Sequence, residues 1–371
     1  MVLLQGDRPS LPLWQFPLCG PGGTIMITQG ADSVAGHLNR HVHAPVRWTL
    51  KVGFAADFRR HRCKIIELLA DQGWHKPPNN KSERLHRGWA ALQSGDLVIH
   101  IGSHRDGSAG DFLDRAIEMK ARGIRCVLYQ MEPFAQRFAR GNTSGLFEIW
   151  DYAWANVNSW RSGFRERRLT PCRYVPPGFL SQLRRRVEAA PELDLLGHRP
   201  QLAFLGEERP CFADLPGVSS PRLRLIQGVY NSTQYVSLRR SEPNLVMLNC
   251  HRINPLHSCT DRDAPLQVLE AVRLSLLLSL NYLVVSQVAL KADMREFSGL
   301  VLFEPTMFPG ASGEWSADTR SLLANQTLLT AFARRAFVTF RERFEPRRVL
   351  EKAGVLLPHN NALRAGTGTG R

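Results

Sequence analysis

Short runs in which nearly every residue is apolar recur along the chain, separated by stretches with helical spacing. Asp96–Gly102, Ile124–Tyr129, Leu202–Gly206, Leu223–Gln227 and Leu245–Asn249 are such runs. They are too short for helices and too continuous for a sheet wetted on one face, so they predict strands buried on both faces. Trp48–Phe54 predicts a further strand, and Ile65–Leu69 suggests a helix. Phe112 to Arg122 sets Phe112, Ala116 and Met119 on one face, which predicts a helix stopped by Gly123. The segment from Leu245 to Glu304 is the most explicit. It reads strand (Leu245–Asn249), polar loop (Cys250 to Ala264), helix (Pro265 to Leu280), strand (Tyr282–Ser286), acidic loop, and a last strand ending at Glu304. Strands alternating with helices of this length imply a parallel sheet.

Two such runs of strand and helix follow one another, and Arg-Tyr-Val-Pro-Pro-Gly-Phe-Leu (Arg173–Leu180) forms a stiff crossover between them. At 371 residues the chain exceeds the usual size of one core. The fold class expected is therefore α/β, with two Rossmann-like domains facing a central cleft. Residues 1–46, rich in Gly, Pro and His without periodicity, read as a poorly ordered lead-in. An N-terminal domain then covers 47–175 and a C-terminal domain 181–320. Leu323, Leu328, Leu329, Phe332 and Phe337 stand at helical spacing, so 321–350 closes the chain with helices packing back. Residues 351–371 read as a flexible tail.

Charge modifies this picture only slightly. The formal charge is +15 and the basic residues are 41 Arg against 7 Lys, which fits a compositional bias of the genome. They are scattered, without the interleaved aromatics of a nucleic-acid groove, so no specific nucleic-acid partner is expected. Seven cysteines lack any C-x-x-C pair, which fits a reducing, cytoplasmic setting. Cys250, His251, His257 and Cys259 match no common zinc spacing, and no metal is expected there. Leu274 to Leu290 is largely apolar but carries Asn281, Ser286 and Gln287. A buried helix followed by a buried strand accounts for it, and no transmembrane segment is expected.

Candidate chemistry collects where strands end. In parallel sheets ligands bind beyond the carboxyl ends of strands, and those ends carry Asn249, His251, Ser286 and Gln287, with Glu270 and Arg273 one helical turn apart between them. Glu270 and Arg273 either serve a ligand or pair with each other at i,i+3 on a helix surface. The helix predicted from Pro265 and Leu266 would offer free N–H groups to an anion, with Asp263 as its cap. Arg209, after Gly206 at a strand end, is placed to meet phosphate. In the first half, His100 lies inside a strand and reads as a core residue, whereas His104 lies past its end, facing the cleft, and is the better candidate for a catalytic base. Glu132 follows the next strand and is either a catalytic general base, a contact to the acceptor, or a cap or turn residue. Trp150, Tyr152, Trp154 and Trp160 either stack on sugars or pack a core.

Three blocks, in order, resemble one family. The first is Tyr129-Gln130-Met131-Glu132-Pro133, with Ile149-Trp150-Asp151-Tyr152, Asn156 and Val175-Pro176-Pro177-Gly178. The second is Phe204-Leu205-Gly206 with Arg209. The third is Leu248-Asn249-Cys250-His251, Leu269-Glu270-Ala271-Val272-Arg273 and Val284-Val285-Ser286-Gln287. Together they are similar to GT-B-type glycosyltransferases of the family 1-like group, over residues 124–304. The resemblance implies a nucleotide-sugar donor on the C-terminal half, held by Gly206, Arg209, Asn249, His251, Pro265, Leu266, Glu270, Arg273, Ser286 and Gln287. It implies an acceptor facing the N-terminal half near His104 and Glu132, being a glycan, protein or small molecule. No metal or other cofactor is implied, because helix N-termini and basic side chains neutralise the diphosphate in this fold. Two positions depart from the family pattern. Arg262 stands where retaining members commonly carry an acid, and Gln287 where related proteins usually carry glutamate. A neutral amide cannot act as a base, so a non-catalytic nucleotide- or glycan-binding protein is the competing reading.

Overall fold

The computed structural model describes residues 24–29, 64–67, 90–101, 116–130, 146–163, 172–180, 200–205, 223–226, 232–250, 268–305 and 315–355. Eleven strands are found among them, in two separate sheets. The first contains β1 (Thr24–Gln29), β2 (Lys64–Glu67), β3 (Leu97–Ile101), β4 (Arg125–Gln130), β5 (Glu148–Asp151) and β6 (Cys172–Tyr174). Its order is β2-β1-β3-β4-β5-β6, with every pair parallel. The second contains β7 (Gln201–Leu205), β8 (Arg224–Ile226), β9 (Leu245–Asn249), β10 (Leu283–Gln287) and β11 (Leu302–Glu304). Its order is β11-β10-β9-β7-β8, again all parallel. β3 and β4 thus lie in a different sheet from β7 to β10, as the two runs in the sequence imply. The α/β class with two Rossmann-like sheets is the architecture observed.

The continuous apolar runs become strands because both faces are covered. In β3, Leu97, Ile99 and Ile101 enter one core cluster while Val98 enters another with Cys126, Leu128 and Ile149. In the second sheet Ala203, Leu205, Leu245, Met247 and Val284 face one layer, and Phe204, Val246, Leu248, Leu283 and Val285 face the other. His100 is fully buried in β3, in keeping with a core histidine.

Seven helices accompany the sheets among the described residues: α1 (Trp154–Gly163), α2 (Ser232–Ser241), α3 (Ala271–Ser279), α4 (Lys291–Glu296), α5 (Ala317–Ala324), α6 (Gln326–Arg343) and α7 (Pro346–Lys352). Residues 116–121 are helical as well. They end in a paired-turn cap, with Ile124 N–H donating to the Met119 carbonyl and Gly123 N–H to that of Lys120, both 2.9 Å. Gly123 takes φ +71 there, the left-handed position that glycine fills at least cost. All nine residues of α3 are buried, as its apolar circumference requires.

Four expectations change. Thr24–Gln29 lies within the supposed lead-in yet forms β1, between β2 and β3. Lys64–Glu67 is a strand rather than the start of a helix. A short run such as Ile65-Ile66 fits either state, and β-branched residues favour the strand once β1 offers pairing. The helix expected from Pro265 begins only at Ala271, because the backbone folds back at Glu270. The stretch expected as an acidic loop after β10 carries the helix α4, whereas the closing helices are plural as expected and part at Asn325, whose side-chain oxygen accepts from Leu328 N–H at 3.1 Å and starts α6. Trp48–Phe54, His104, Glu132, Gly206, Arg209, His251, Arg262, Asp263, Pro265 and Leu266 lie outside the described residues.

The closing helices do pack back on the crossover, whose residues 175–180 are all buried. Phe179 N–H donates to the Phe344 carbonyl at 2.6 Å, and the Phe179 ring meets Phe337 and Phe340 edge-on. From the other side α3 holds the same segment. Ser275 Oγ donates to the Gly178 carbonyl at 2.6 Å, and Leu180 N–H donates to Ser279 Oγ at 3.0 Å. Farther along, Arg173 of β6 ion-pairs with Glu148 of β5 and donates to the carbonyls of Ala353 and Gly354 after α7, 3.1 Å each.

Candidate functional site

The strand order of the second sheet reverses between β7 and β9. One chain direction from this point runs to β8 and the other to β10 and β11. In parallel sheets such a reversal is where ligands bind, beyond the carboxyl ends of the strands. The described candidate residues gather around it.

Asn249 and Ser286 end neighbouring strands and are register partners. Both are fully buried, and Asn249 Nδ2 donates to Ser286 Oγ at 3.0 Å. Ser286 Oγ passes a hydrogen bond on to the Gln287 carbonyl at 3.1 Å. Gln287 is buried in turn and pairs in register with Glu304 of β11. Strands that are apolar through their length therefore end in a row of buried polar side chains. Burying such groups is costly unless they are hydrogen-bonded, so the row is a specific polar wall and not an incidental strand end.

Glu270 and Arg273 complete the wall from α3. Glu270 sits just before the helix at φ −77, ψ 64, and Ala271 N–H donates back to the Leu269 carbonyl at 2.8 Å. That is an inverse γ-turn. It ends the extended approach and starts the helix in one residue, with the Glu270 carbonyl accepting the first helical bond from Leu274 N–H at 3.1 Å. No side chain caps α3 and its first turn carries no acid. Ala271 N–H is taken up by the turn, and the partial positive charge of the helix start favours a negative charge nearby.

Arg273 lies in that first turn. Its Nη1 donates to the Cys250 carbonyl, just past β9, at 2.8 Å, and its guanidinium lies 4.9 Å from the ring centre of Phe204 in β7. The side chain therefore bridges the two strands that flank the reversal. Glu270 is 6% exposed and Arg273 7%, which rules out a water-washed surface pair. Among the described residues no carboxylate pairs with Arg273. A buried cation in the first turn of a helix, with no carboxylate partner among the described residues, is suited to receiving an anion.

The first sheet presents a similar edge, with Gln130 and Asp151 as buried register partners at the ends of β4 and β5. Asp151 has a structural part, because its Oδ1 accepts from Ala153 N–H at 3.1 Å and Asn156 Nδ2 at 3.0 Å. The nearby aromatics pack: Trp150 and Tyr152 are buried, and Trp154 stacks on Tyr174 with ring centres 4.5 Å apart.

Two acids carry no signal in the sequence strong enough to single them out. Glu304 is fully buried and accepts from Ser316 Oγ at 2.8 Å, which fixes the serine that caps α5. Its only sequence sign is an acid at a strand end. Asp293 accepts from the backbone of α1 and has no local sign at all.

No protein-family model matches the chain, and no curated protein matches it. Among solved structures it is similar to a glycosyltransferase from Rickettsia africae ESF-5, at 10% identity over 89% of this chain and 96% of that one, with a TM-score of 0.48. It is also similar to Anabaena Alr3699/HepE, solved in complex with UDP and glucose, at 12% identity over 89% and 98% of the two chains, TM-score 0.46. A third likeness is to LpCGTa, solved in complex with UDP, at 11% identity over 89% and 98%, TM-score 0.37. At these scores the chemistry of the site rests on its own residues.

Proposed function

We propose that this protein is a glycosyltransferase that moves a sugar from a nucleotide-sugar donor to an acceptor without a metal, with the donor held by the second sheet. The observation that carries this reading is Arg273: a buried guanidinium facing the N-terminus of α3 at the strand-order reversal, without a carboxylate partner among the described residues. A diphosphate supplies the missing negative charge. Glu270, immediately beside it, accepts hydrogen bonds from ribose hydroxyls, and the Asn249–Ser286 pair fixes the floor beneath them. Arg209 and His251, which follow β7 and β9 in the sequence, belong to the same crevice in this reading. His104 and Glu132, which follow β3 and β4, serve the acceptor from the first sheet. Catalysis then consists of displacement at the anomeric carbon, with positioning and stabilisation of the departing diphosphate as the main contributions. The buried free thiol of Cys126 supports a reducing, cytoplasmic setting.

One observation favours a second reading, in which the protein binds a nucleotide or glycan without turning it over. Gln287 is a buried neutral amide at the end of β10, where the family resemblance leads one to expect a carboxylate. Calorimetry with nucleoside diphosphates at millimolar concentration tests the site. Glu270→Ala should weaken binding roughly ten- to hundred-fold, the worth of one charge-assisted hydrogen bond of ~1.5–3 kcal/mol. Arg209→Ala should weaken the diphosphate more than the bare nucleoside. If wild-type protein binds no nucleoside diphosphate, the proposal falls. Binding without turnover of any nucleotide sugar selects the second reading, and Gln287→Glu then asks whether an acid restores it.

A further inference from the structure

Helix α1 belongs to the first half of the chain, yet its N-terminus is capped from the second. Trp154 N–H donates to Asp293 Oδ1 at 2.8 Å and Ala155 N–H donates to Oδ2 at 3.3 Å, across 139 residues of sequence. α1 has no acid in its own first turn, so these amides depend on the borrowed carboxylate. Asp293 is 1% exposed. Both elements follow carboxyl ends of strands, α1 after β5 and α4 after β10, so the contact lies on the ligand side of each sheet.

We propose that Asp293 is a protonation-sensitive joint between the two halves, which holds them together more firmly when its carboxyl group is neutral than when it is charged. The reason is the balance of forces on the carboxylate. Burial penalises its charge most. The two α1 amides favour the charge, and Glu296, one turn on in α4, opposes it. The surrounding groups offer little relief. From β6 comes the Tyr174 phenol, itself kept neutral by burial and by Asp293 and Glu296, while Tyr129 and Asp151 lie behind it. On α4, Arg295 and Lys291 are partly or fully exposed. The α7 cation Lys352 pairs with Glu296 at 2.7 Å, and Arg343 of α6 donates to the Glu296 carbonyl. No cation among these is paired with Asp293.

The net effect raises the Asp293 pKa from 3.8 to about 6. An open joint would return the carboxyl to water and to its ordinary value. The closed state therefore binds the proton more tightly. Its extra stability is fully present below pH ~3.8 and is lost as pH rises through about 6. Between pH 5 and pH 7 the closing equilibrium should weaken about ten-fold. This inference does not require the protein to bind a nucleotide.

Hydrogen exchange of the Trp154 and Ala155 amides in the full chain reads the joint directly. After correction for intrinsic rates, protection should be about ten-fold greater at pH 5 than at pH 7, and Asp293→Asn should flatten that dependence. A wild type that is flat over this range overturns the proposal, as does an Asp293→Asn protein that keeps the slope. Should the variant fail to fold, wild-type protein with 15N-labelled Trp and Ala suffices. The Trp154 and Ala155 amide shifts should titrate together with a midpoint near 6, and a midpoint near 4 removes the joint.

Discussion

Replacing Arg273 with methionine separates an arginine kept for a ligand from one kept for the fold. The side chain makes a charged hydrogen bond to the Cys250 carbonyl and lies over Phe204. Losing the first costs about 1.5–3 kcal/mol and losing a desolvated cation–π contact about 2 kcal/mol. Against this, methionine fills much of the same space, and removing a buried charge with no carboxylate partner among the described residues recovers several kcal/mol of desolvation. The two sides nearly cancel, so the unliganded Arg273→Met protein should differ from wild type by less than about 2 kcal/mol. For a half of this size that is a shift in Tm within about 4–8 °C in either direction. Nucleoside diphosphate affinity should fall roughly ten- to hundred-fold, because the anion loses its charged donor. Arg273→Lys, which keeps charge but not the planar fork, should fall between. Differential scanning fluorimetry with and without ligand reads both quantities in one experiment. A variant destabilised by more than about 4 kcal/mol with unchanged affinity would refute the reasoning. Arg273 would then be a tie between β7 and β9 and nothing more.

Two further outcomes test how the closing helices are held. Arg173→Met removes the ion-pair partner of the buried Glu148 carboxylate, which keeps the Trp150 indole donor at 2.7 Å, and frees the carbonyls after α7, so it should cost about 3 kcal/mol and speed proteolysis at Lys352; unchanged cleavage there would show that the clamp is idle. Gly178→Ala would place a Cβ 2.9 Å from the Phe344 carbonyl oxygen and 3.3 Å from Pro346 Cα, both backbone atoms that cannot step aside. The expected loss is about 1–3 kcal/mol in thermal unfolding, and a Tm equal to wild type would mean that the helices are not seated on the crossover as described.

How far the sequence reaches can be seen from individual elements. β3, β4, β7, β9 and β10 are readable because a strand covered on both faces leaves an unbroken apolar run too short for a helix. The polar residues closing those runs, Asn249, Ser286 and Gln287, are readable for the same reason, since they interrupt the run where a ligand edge belongs. β1 is not readable: Thr24–Gln29 alternates weakly amid Gly and Pro, and its place depends on pairing with β2 and β3 far along the chain. The start of α3 is also hidden. Helical spacing continues backward through Leu269 and Leu266, and only the folded-back turn at Glu270 shows where the helix begins. Local pattern thus determined β3, β4, β7, β9 and β10 and the polar residues that close them. Tertiary structure alone decided that Arg273 would be buried without a carboxylate partner among the described residues, and that Asp293 would cap a helix 139 residues away. Solvation and charge pairing depend on what the chain brings near a group, and sequence distance carries no record of that.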